Sequence, residues 1–334
     1  MPEPTDHTPE PSAPVPEPTA PVPEPTGPGR PGAMPRVLAG PSGTRFAEVR
    51  WFDELDSTNR YLLSEARAGA DEGLVVVADH QSAGRGRLGR RWEAPPAANL
   101  LVSVLLRPRL PFETRHLASA VVALAAADAC AALGGVAASI KWPNDLLVDG
   151  RKLAGVLAEA DVGTEGRAPI VVGIGINVAW PAATTVAGPT DPPARKPGGP
   201  GGPGGRSSHQ GDRGPRIDER DLADSATSLL RETGRPVDRA RLLDRLLVEL
   251  EPRAADLSSA GGRIGQAAEL RSRCTTIGTR VRVESPDSTF DGMAVDITAE
   301  GHLVVDVDNQ GPRTVVVGDV IHLRTAPDQG RGPG

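Results

Sequence analysis

Residues 138–160, ASIKWPNDLLVDGRKLAGVLAEA, read as strand, turn, strand, hairpin turn and strand. Asp149 and Gly150 lie between two apolar runs, and Asp-Gly is a strong two-residue hairpin signal because both turn positions need positive φ. The WPND stretch, residues 142–145, combines proline and Asx chemistry in an ordinary turn. Lys141 and Lys152 flank the hairpin, which would carry both toward one end of a sheet. Asp145 could bind a hydrated magnesium ion, which prefers carboxylate and phosphate oxygens. Each part alone is a common turn or a common surface charge; the combination is more specific.

Working outward, strands and helices alternate. FAEVRWF (46–52), GLVVVAD (73–79), NLLVSVLLRP (99–108) and PIVVGIGINVAW (169–180) read as strands, the middle two as short buried runs. STNRYLLSEARAG (57–69) starts on cap-forming residues and ends on glycine, a helix signature. Residues 113–133 have helix composition and length, and three more helices are expected over 221–233, 238–255 and 262–272. From residue 275 the pattern changes to five short strands, of which RVRVES alternates with period two. The fold class is α+β: a mixed β-sheet flanked by helices, residues 44–272, with a small carboxy-terminal β-barrel over 275–325.

The chain has 334 residues, with 39 glycines and 34 prolines against four tryptophans, four phenylalanines and one tyrosine. The excess is local. Residues 1–40 form a proline-rich tail that repeats APVPEPT at 13–19 and 20–26, and such a segment has no core to bury. A Gly/Pro-rich stretch over about 182–216 reads as a disordered insertion, because regular structure resumes on both sides. Cys130 and Cys274 are far apart, with no metal-ligand spacing, which argues against a zinc site or a disulfide framework. The tail lacks the basic start and apolar run of a secretory signal. The apolar stretch over 117–133 is too short to span a bilayer. A soluble cytoplasmic protein is expected.

The net charge is −6, yet GRGRLGRR, residues 84–91, holds four arginines. Guanidinium forks clamp phosphate in two-point geometry, and the glycines let backbone N–H groups approach the same anion. A connection of this length between core strands is commonly functional; here it reads as a mobile lid over a small phosphorylated ligand. DSTNRYL (56–62) places Ser57, Thr58 and Asn59 at a helix start. One cap needs one such residue, so the remaining polar groups are available to a ligand. GIGIN (173–177) lacks the third glycine and the following helix of a dinucleotide fingerprint. Glycines inside a strand instead permit close approach, as of a flat ring lying on the sheet. No Ser-His-Asp order, Walker A sequence or metal-protease helix motif occurs. Nucleotidyl or acyl transfer with magnesium is the reaction class these residues suggest.

The four pieces DSTN, GRGRLGRRW, KWPNDLLVDGRKLAGVL and GIGIN, in this order and followed by a small terminal barrel, resemble the biotin protein ligase family (biotin–[acetyl-CoA-carboxylase] ligase). The resemblance covers about residues 46–324 apart from the insertion. It implies a biotin/lipoate ligase-like catalytic domain that joins biotin to ATP as biotinyl-5′-adenylate. Biotin is then passed to a lysine on the biotin carboxyl carrier domain of an acyl-CoA carboxylase. By the matching motifs, Lys152, Arg87, Lys141 and Asp145 would serve catalysis. Ser57, Thr58, Asn59, Gln81, Gly84, Arg85, Gly86, Arg87, Lys152, Gly155, Gly173 and Gly175 would line the biotin site. Arg90, Trp92, Asn144, Asn177 and Arg324 would meet ATP or the adenylate, with Mg2+ at Asp145.

The proline-rich tail stands where two-function members carry a helix-turn-helix domain, so no repressor activity, no nucleic-acid partner and no membrane partner are expected. The oligomeric state is open, a homodimer included. Two rivals remain: a lipoate–protein ligase with the same adenylate chemistry, and an RNA-binding module that uses the Arg/Gly loop. The second leaves the lysine hairpin unexplained and predicts strongly salt-dependent binding.

Overall fold

The computed structural model describes residues 34–160, 168–181, 225–285, 288–316 and 318–323. Most of the proline-rich tail and the whole of the Gly/Pro insertion lie outside the described residues. In chain order the elements are β1 (Arg36–Ala39), β2 (Glu48–Leu55), α1 (Thr58–Arg67), β3 (Val75–Gln81), β4 (Leu100–Leu106), α2 (Leu117–Gly134), β5 (Ser139–Lys141), β6 (Asp145–Val148), β7 (Arg151–Ala160) and β8 (Ile170–Ile176). They continue with α3 (Leu229–Thr233), α4 (Arg239–Asp256), α5 (Ala260–Arg273), β9 (Arg280–Ser285), β10 (Ser288–Ile297), β11 (Leu303–Val307), β12 (Gly311–Val315) and β13 (Asp319–His322).

The first eight strands form one mixed sheet in the order β1-β2-β3-β4-β8-β7-β6-β5. Only β2 and β3 pair in parallel; every other ladder is antiparallel. The central strands β4 and β8 are buried along their whole length, as continuous apolar runs require. Alternate residues serve opposite faces: Val102, Val104, Val172 and Ile174 meet α2 and α4, while Leu105 and Val171 meet Leu62 and Ala66 of α1. The α2 sequence, rich in alanine and leucine, is buried on nearly every side and ends at Gly135 in the left-handed region, φ 69°. Contrary to expectation, Phe112–Gly134 is long and apolar enough to cross a membrane by length and composition, the one such helical stretch among the described residues, but it is mostly buried here as a core helix.

The expected hairpin is present. Asp149 and Gly150 both have positive φ, 48° and 75°, and join β6 to β7. Three expectations change. Residues 36–39 are not tail but an edge strand paired with β2. The helix expected over 221–233 is interrupted: Ser225 is helical, and helix resumes at Leu229. Residues 221–224 lie outside the described residues, and Ala226 is extended, bridging to Lys152. The Ser228 hydroxyl accepts from Arg231 N and caps the resumed helix. The last of the three helices starts earlier, at Ala260, because Ser259 caps it through Gly262 N.

The carboxy-terminal unit has the five expected strands, ordered β12-β11-β10-β9-β13 and all antiparallel. Among the described residues no ladder joins β12 to β13, so the sheet is not seen to close into a ring. It is bonded to the catalytic body. Thr275 N donates to Ile140 O (2.9 Å), the Trp142 backbone N–H donates to Thr276 Oγ1 (3.0 Å), and Trp142 Nε1 donates to Gly301 O (3.2 Å). The rings of His116 and His302 stack across the same junction, with centroids 4.5 Å apart.

Burial, with His302 stacked against the ring adding to it, pushes His116 down from 6.5 to about 4. The unfolded chain therefore takes up the extra proton between these values, and stability present above about pH 6.5 is lost as the pH falls toward 4. By pH 5 the loss is about 2 kcal/mol. Urea denaturation at about pH 7.5 and about pH 5 should show this drop, and His116→Gln should shrink it. An equal drop in both proteins would remove His116 as the cause.

Candidate active site

Antiparallel pairing of β7 with β8 aligns Gly155 with Gly175 and Leu157 with Gly173. These glycines form the floor of a cleft of about 1820 Å³. The start of α1, the arginine loop, the WPND turn, Lys152 and β13 of the carboxy-terminal sheet wall it. Of the residues proposed from sequence, Ser57, Thr58, Asn59, Gln81, Arg85, Gly86, Arg87, Arg90, Trp92, Lys141, Asn144, Asp145, Lys152, Gly155, Gly173, Gly175 and Asn177 all line it. Gly84 does not reach the wall. It sits at the base of the loop, where its carbonyl accepts from Trp92 N (3.0 Å). Arg324 lies outside the described residues.

A β-bulge decides how Lys152 enters. Leu146 pairs with Ala154 but Leu147 pairs with Lys152, so Leu153 has no partner on β6. In a regular strand Gly155 and Lys152, three apart, would face opposite sides. The extra residue turns Lys152 to the side of Gly155, and Leu153 stays in the core. Lys152 Nζ then lies 2.7 Å from Asp145 Oδ1 and 5.5 Å from the centre of a Trp92 ring. The ion pair is close but poorly angled, and Asp145 Oδ1 is buried without a hydrogen-bond donor. The Trp92 indole covers the glycine floor: a Cβ at Gly175 would lie 2.8 Å from Trp92 Cζ2. Trp92 Nε1 is also buried without a hydrogen-bond partner.

At the polar end of the cleft Ser57 caps α1. Thr58 donates from N (2.8 Å) and Oγ1 (3.1 Å) to Gln81 Oε1. Asn59 Nδ2 donates to Leu157 O (3.1 Å) and Glu159 Oε2 (2.8 Å). The Ser103 hydroxyl bridges Thr58 Oγ1 (2.7 Å) and Asn59 Oδ1 (2.6 Å). Asn177 is held by Asn99 and by Lys152 O, so its amide ties β8 to β7 at the cleft edge.

The loop folds back on itself through Gly86 N to Arg90 O (2.7 Å) and Arg90 N to Arg87 O (3.1 Å). Its arginines then part. Arg85 pairs with Glu159 (2.9 Å). Arg87 donates to Gly318 O (2.8 Å) and reaches Asn144 Oδ1 (3.5 Å). Arg90 pairs with Asp319 (2.6 Å), and Arg91 pairs with Glu93 (3.2 Å) at the surface. Burial lowers the Arg87 guanidinium below its ordinary value, partly offset by Asp319 and Asp145. Burial, with Lys141 nearby, likewise lowers His322.

Ser103, Glu159 and Asp319 were not anticipated. Ser103 is the sole polar residue of its strand, a signal that was available. Glu159 and Asp319 carry no local signal, because each acts on a partner far away in sequence.

A profile for the Biotin/lipoate A/B protein ligase family matches residues 51–177, and one for the Biotin protein ligase C terminal domain matches 276–323. The chain is 37% identical over 297 residues to the biotin--[acetyl-CoA-carboxylase] ligase of Mycobacterium tuberculosis, covering 86% of this chain and 93% of that one. It is 30% identical to the bifunctional ligase/repressor BirA of Bacillus subtilis over 81% of this chain and 72% of the relative. In fold it is similar to the biotin protein ligase of Aquifex aeolicus, solved with biotin and ATP, at a TM-score of 0.62 and 24% identity, covering 83% of this chain and 99% of that one. Matched in both of its parts and over nearly all of a relative at 37% identity, the chain belongs to the biotin protein ligase family.

Proposed function

We propose that this protein activates biotin with ATP and transfers it to a lysine of a carboxylase biotin carrier domain. In the first step a biotin carboxylate oxygen attacks the α-phosphorus of ATP, and the bond to pyrophosphate breaks. In the second the lysine amine attacks the acyl carbon of the adenylate, loses a proton and expels AMP. The observation that carries this reading is the convergence of Lys152 and Arg87 on one cleft whose floor is glycine, partly under the Trp92 indole.

The chemistry needs preorganised positive charge at phosphate oxygens in a water-poor site. Lys152 supplies it at the acyl–phosphate linkage, and Arg85, Arg87 and Lys141 add to it from other walls. Thr58, Asn59 and Gln81, already linked to Ser103 and Glu159, hold the polar end of biotin. Gly173 admits its rings, and Gly155 and Gly175 do so when the Trp92 indole lifts from them. Trp92, Arg90, Asn144 and Asn177 take the nucleotide side. The reactive anhydride is shielded from water by the loop over residues 84–92.

Magnesium would be held at Asp145, whose buried Oδ1 is met only by the poorly angled Lys152 ammonium, since Mg2+ sites commonly combine one or two carboxylates with substrate phosphates and water. When bound it would neutralise phosphate charge. The same reading places the enzyme in the cytoplasm, gives it no nucleic-acid partner and keeps a homodimer open.

With biotin, ATP, magnesium and a carrier domain, mass spectrometry should show one added biotin. Pyrophosphate should be released with biotin and not with lipoate; the reverse preference would overturn the assignment. Lys152→Ala should slow pyrophosphate release by about a hundredfold, the scale of losing one charge-stabilising group. Wild-type rates would exclude Lys152 from catalysis.

A second expectation follows from the floor. A methyl group at Gly173 would run into Asn59 Oδ1, which is held by Ser103. Gly173→Ala should therefore raise the KM for biotin by about tenfold or more, corresponding to about 1.4 kcal/mol, with the KM for ATP much less changed. Equal effects on both would show general disruption instead.

A further inference from the structure

The arginine loop is fastened to two different bodies. Its base closes on itself through Trp92 N to Gly84 O, and Arg85 ties it to Glu159 of β7. Its tip reaches the carboxy-terminal sheet, where Arg87 meets Gly318 O and Arg90 meets Asp319. Among the described residues Arg90–Asp319 is the only side-chain ion pair between the loop and that sheet.

The pair is unequal. The Asp319 side chain is 11% exposed and that of Arg90 63%. Asp319 is also fixed in place: its strand is laddered to β9, with Asp319 opposite Glu284 and Val320 opposite Val283. A largely buried carboxylate that loses its partner keeps its desolvation penalty without compensation, whereas an exposed guanidinium is simply rehydrated. The rigid acid therefore favours the state in which the loop comes to it. Asp319 also faces the cleft in which phosphates are to be held. Left unpaired, it would repel them; paired with Arg90, with Arg87 beside it, its charge is balanced.

We propose that Asp319 is a positioning residue that latches the arginine loop shut over the cleft, so that the carboxy-terminal sheet holds the lid of the catalytic body. The latch acts on the loop and through it on retention of the activated intermediate; Asp319 touches no reacting atom. The second part rests on the function proposed above, the first does not.

Two measurements separate them. Trypsin cuts after arginine, and Arg85, Arg87, Arg90 and Arg91 are candidate sites within the loop. In the ligand-free full chain, Asp319→Asn should speed cleavage at these sites by about tenfold, as located by mass spectrometry, with cleavage elsewhere unchanged. Asp319→Glu should restore most of the protection. Arg90→Gln opens the pair from its exposed side, without disturbing the sheet, and should speed cleavage after Arg87 to the same extent. Unchanged loop cleavage in both Asp319→Asn and Arg90→Gln would overturn the latch, as would acceleration spread evenly over the chain.

The second measurement is the release of preformed adenylate from the full chain. It should rise about tenfold in each single variant and no further in the double variant, the non-additivity of two residues acting through one contact. Additive effects would overturn the proposal, because Arg90 and Asp319 would then act separately. Faster adenylate release in Asp319→Asn with unaltered loop cleavage would also overturn it, by placing Asp319 on the ligand itself. A chain that forms no adenylate at all would remove the proposed function and leave the cleavage result standing as its own test.

Discussion

Six cationic residues, Arg85, Arg87, Arg90, Arg91, Lys141 and Lys152, line one partly enclosed cleft, and like charges gathered out of bulk water repel one another strongly. The fold meets this constraint with carboxylates from separate elements. Glu159 of β7 pairs with Arg85, Asp145 of β6 with Lys152, and Asp319 of β13 with Arg90. Arg87, which lacks a carboxylate of its own, is neutralised only at a distance by Asp319 and Asp145 and donates instead to a backbone carbonyl. An incoming polyphosphate would find these cations already aimed, and reorganisation that would otherwise accompany catalysis is done during folding.

The same economy of geometry governs the floor. A sheet can admit a flat ligand only where side chains are missing, and β7 and β8 present Gly155 and Gly175 side by side. A strand that gave up three or four side chains in succession would lose its packing on the other face as well. Period-two alternation avoids this, because Ile174 and Ile176 turn into the core while Gly173 and Gly175 face the cleft. The bulge at Leu153 then breaks the alternation once, where a lysine has to join the glycine side.

How much of this could be read beforehand follows the range of the interactions. The hairpin at Asp149 and Gly150, the cap at Ser57 and the buried runs of β4 and β8 are local or period-based, and the chain announces them directly. The grouping of the four motifs around one cleft was legible through their resemblance to a family and through residue chemistry. The bulge was not, since nothing in DLLVDGRKLAG marks which residue will lose its partner. Edge strand β1 is not legible in the sequence, because four residues beside a proline-rich stretch show no usable period. The break before α3 was not legible, because Ala226 gives its backbone to Lys152, a long-range bridge that overrides helix propensity. Glu159 and Asp319 needed coordinates, since their partners lie 74 and 229 residues away.

The carboxy-terminal sheet is more than an appended unit. It grips the catalytic body at two cleft walls that have little regular structure of their own: the WPND turn, through Thr276 and Gly301, and the arginine loop, through Gly318 and Asp319. Turns and loops are the least restrained parts of a fold and sit at the low end of local stability. A site assembled from them gains precision when a rigid element outside the sheet holds both. Because the two grips sit on one small sheet, displacement of that sheet would loosen the WPND turn and the arginine loop together, while the polar end of the cleft, held by Ser103 and Glu159 within the main sheet, would keep its shape.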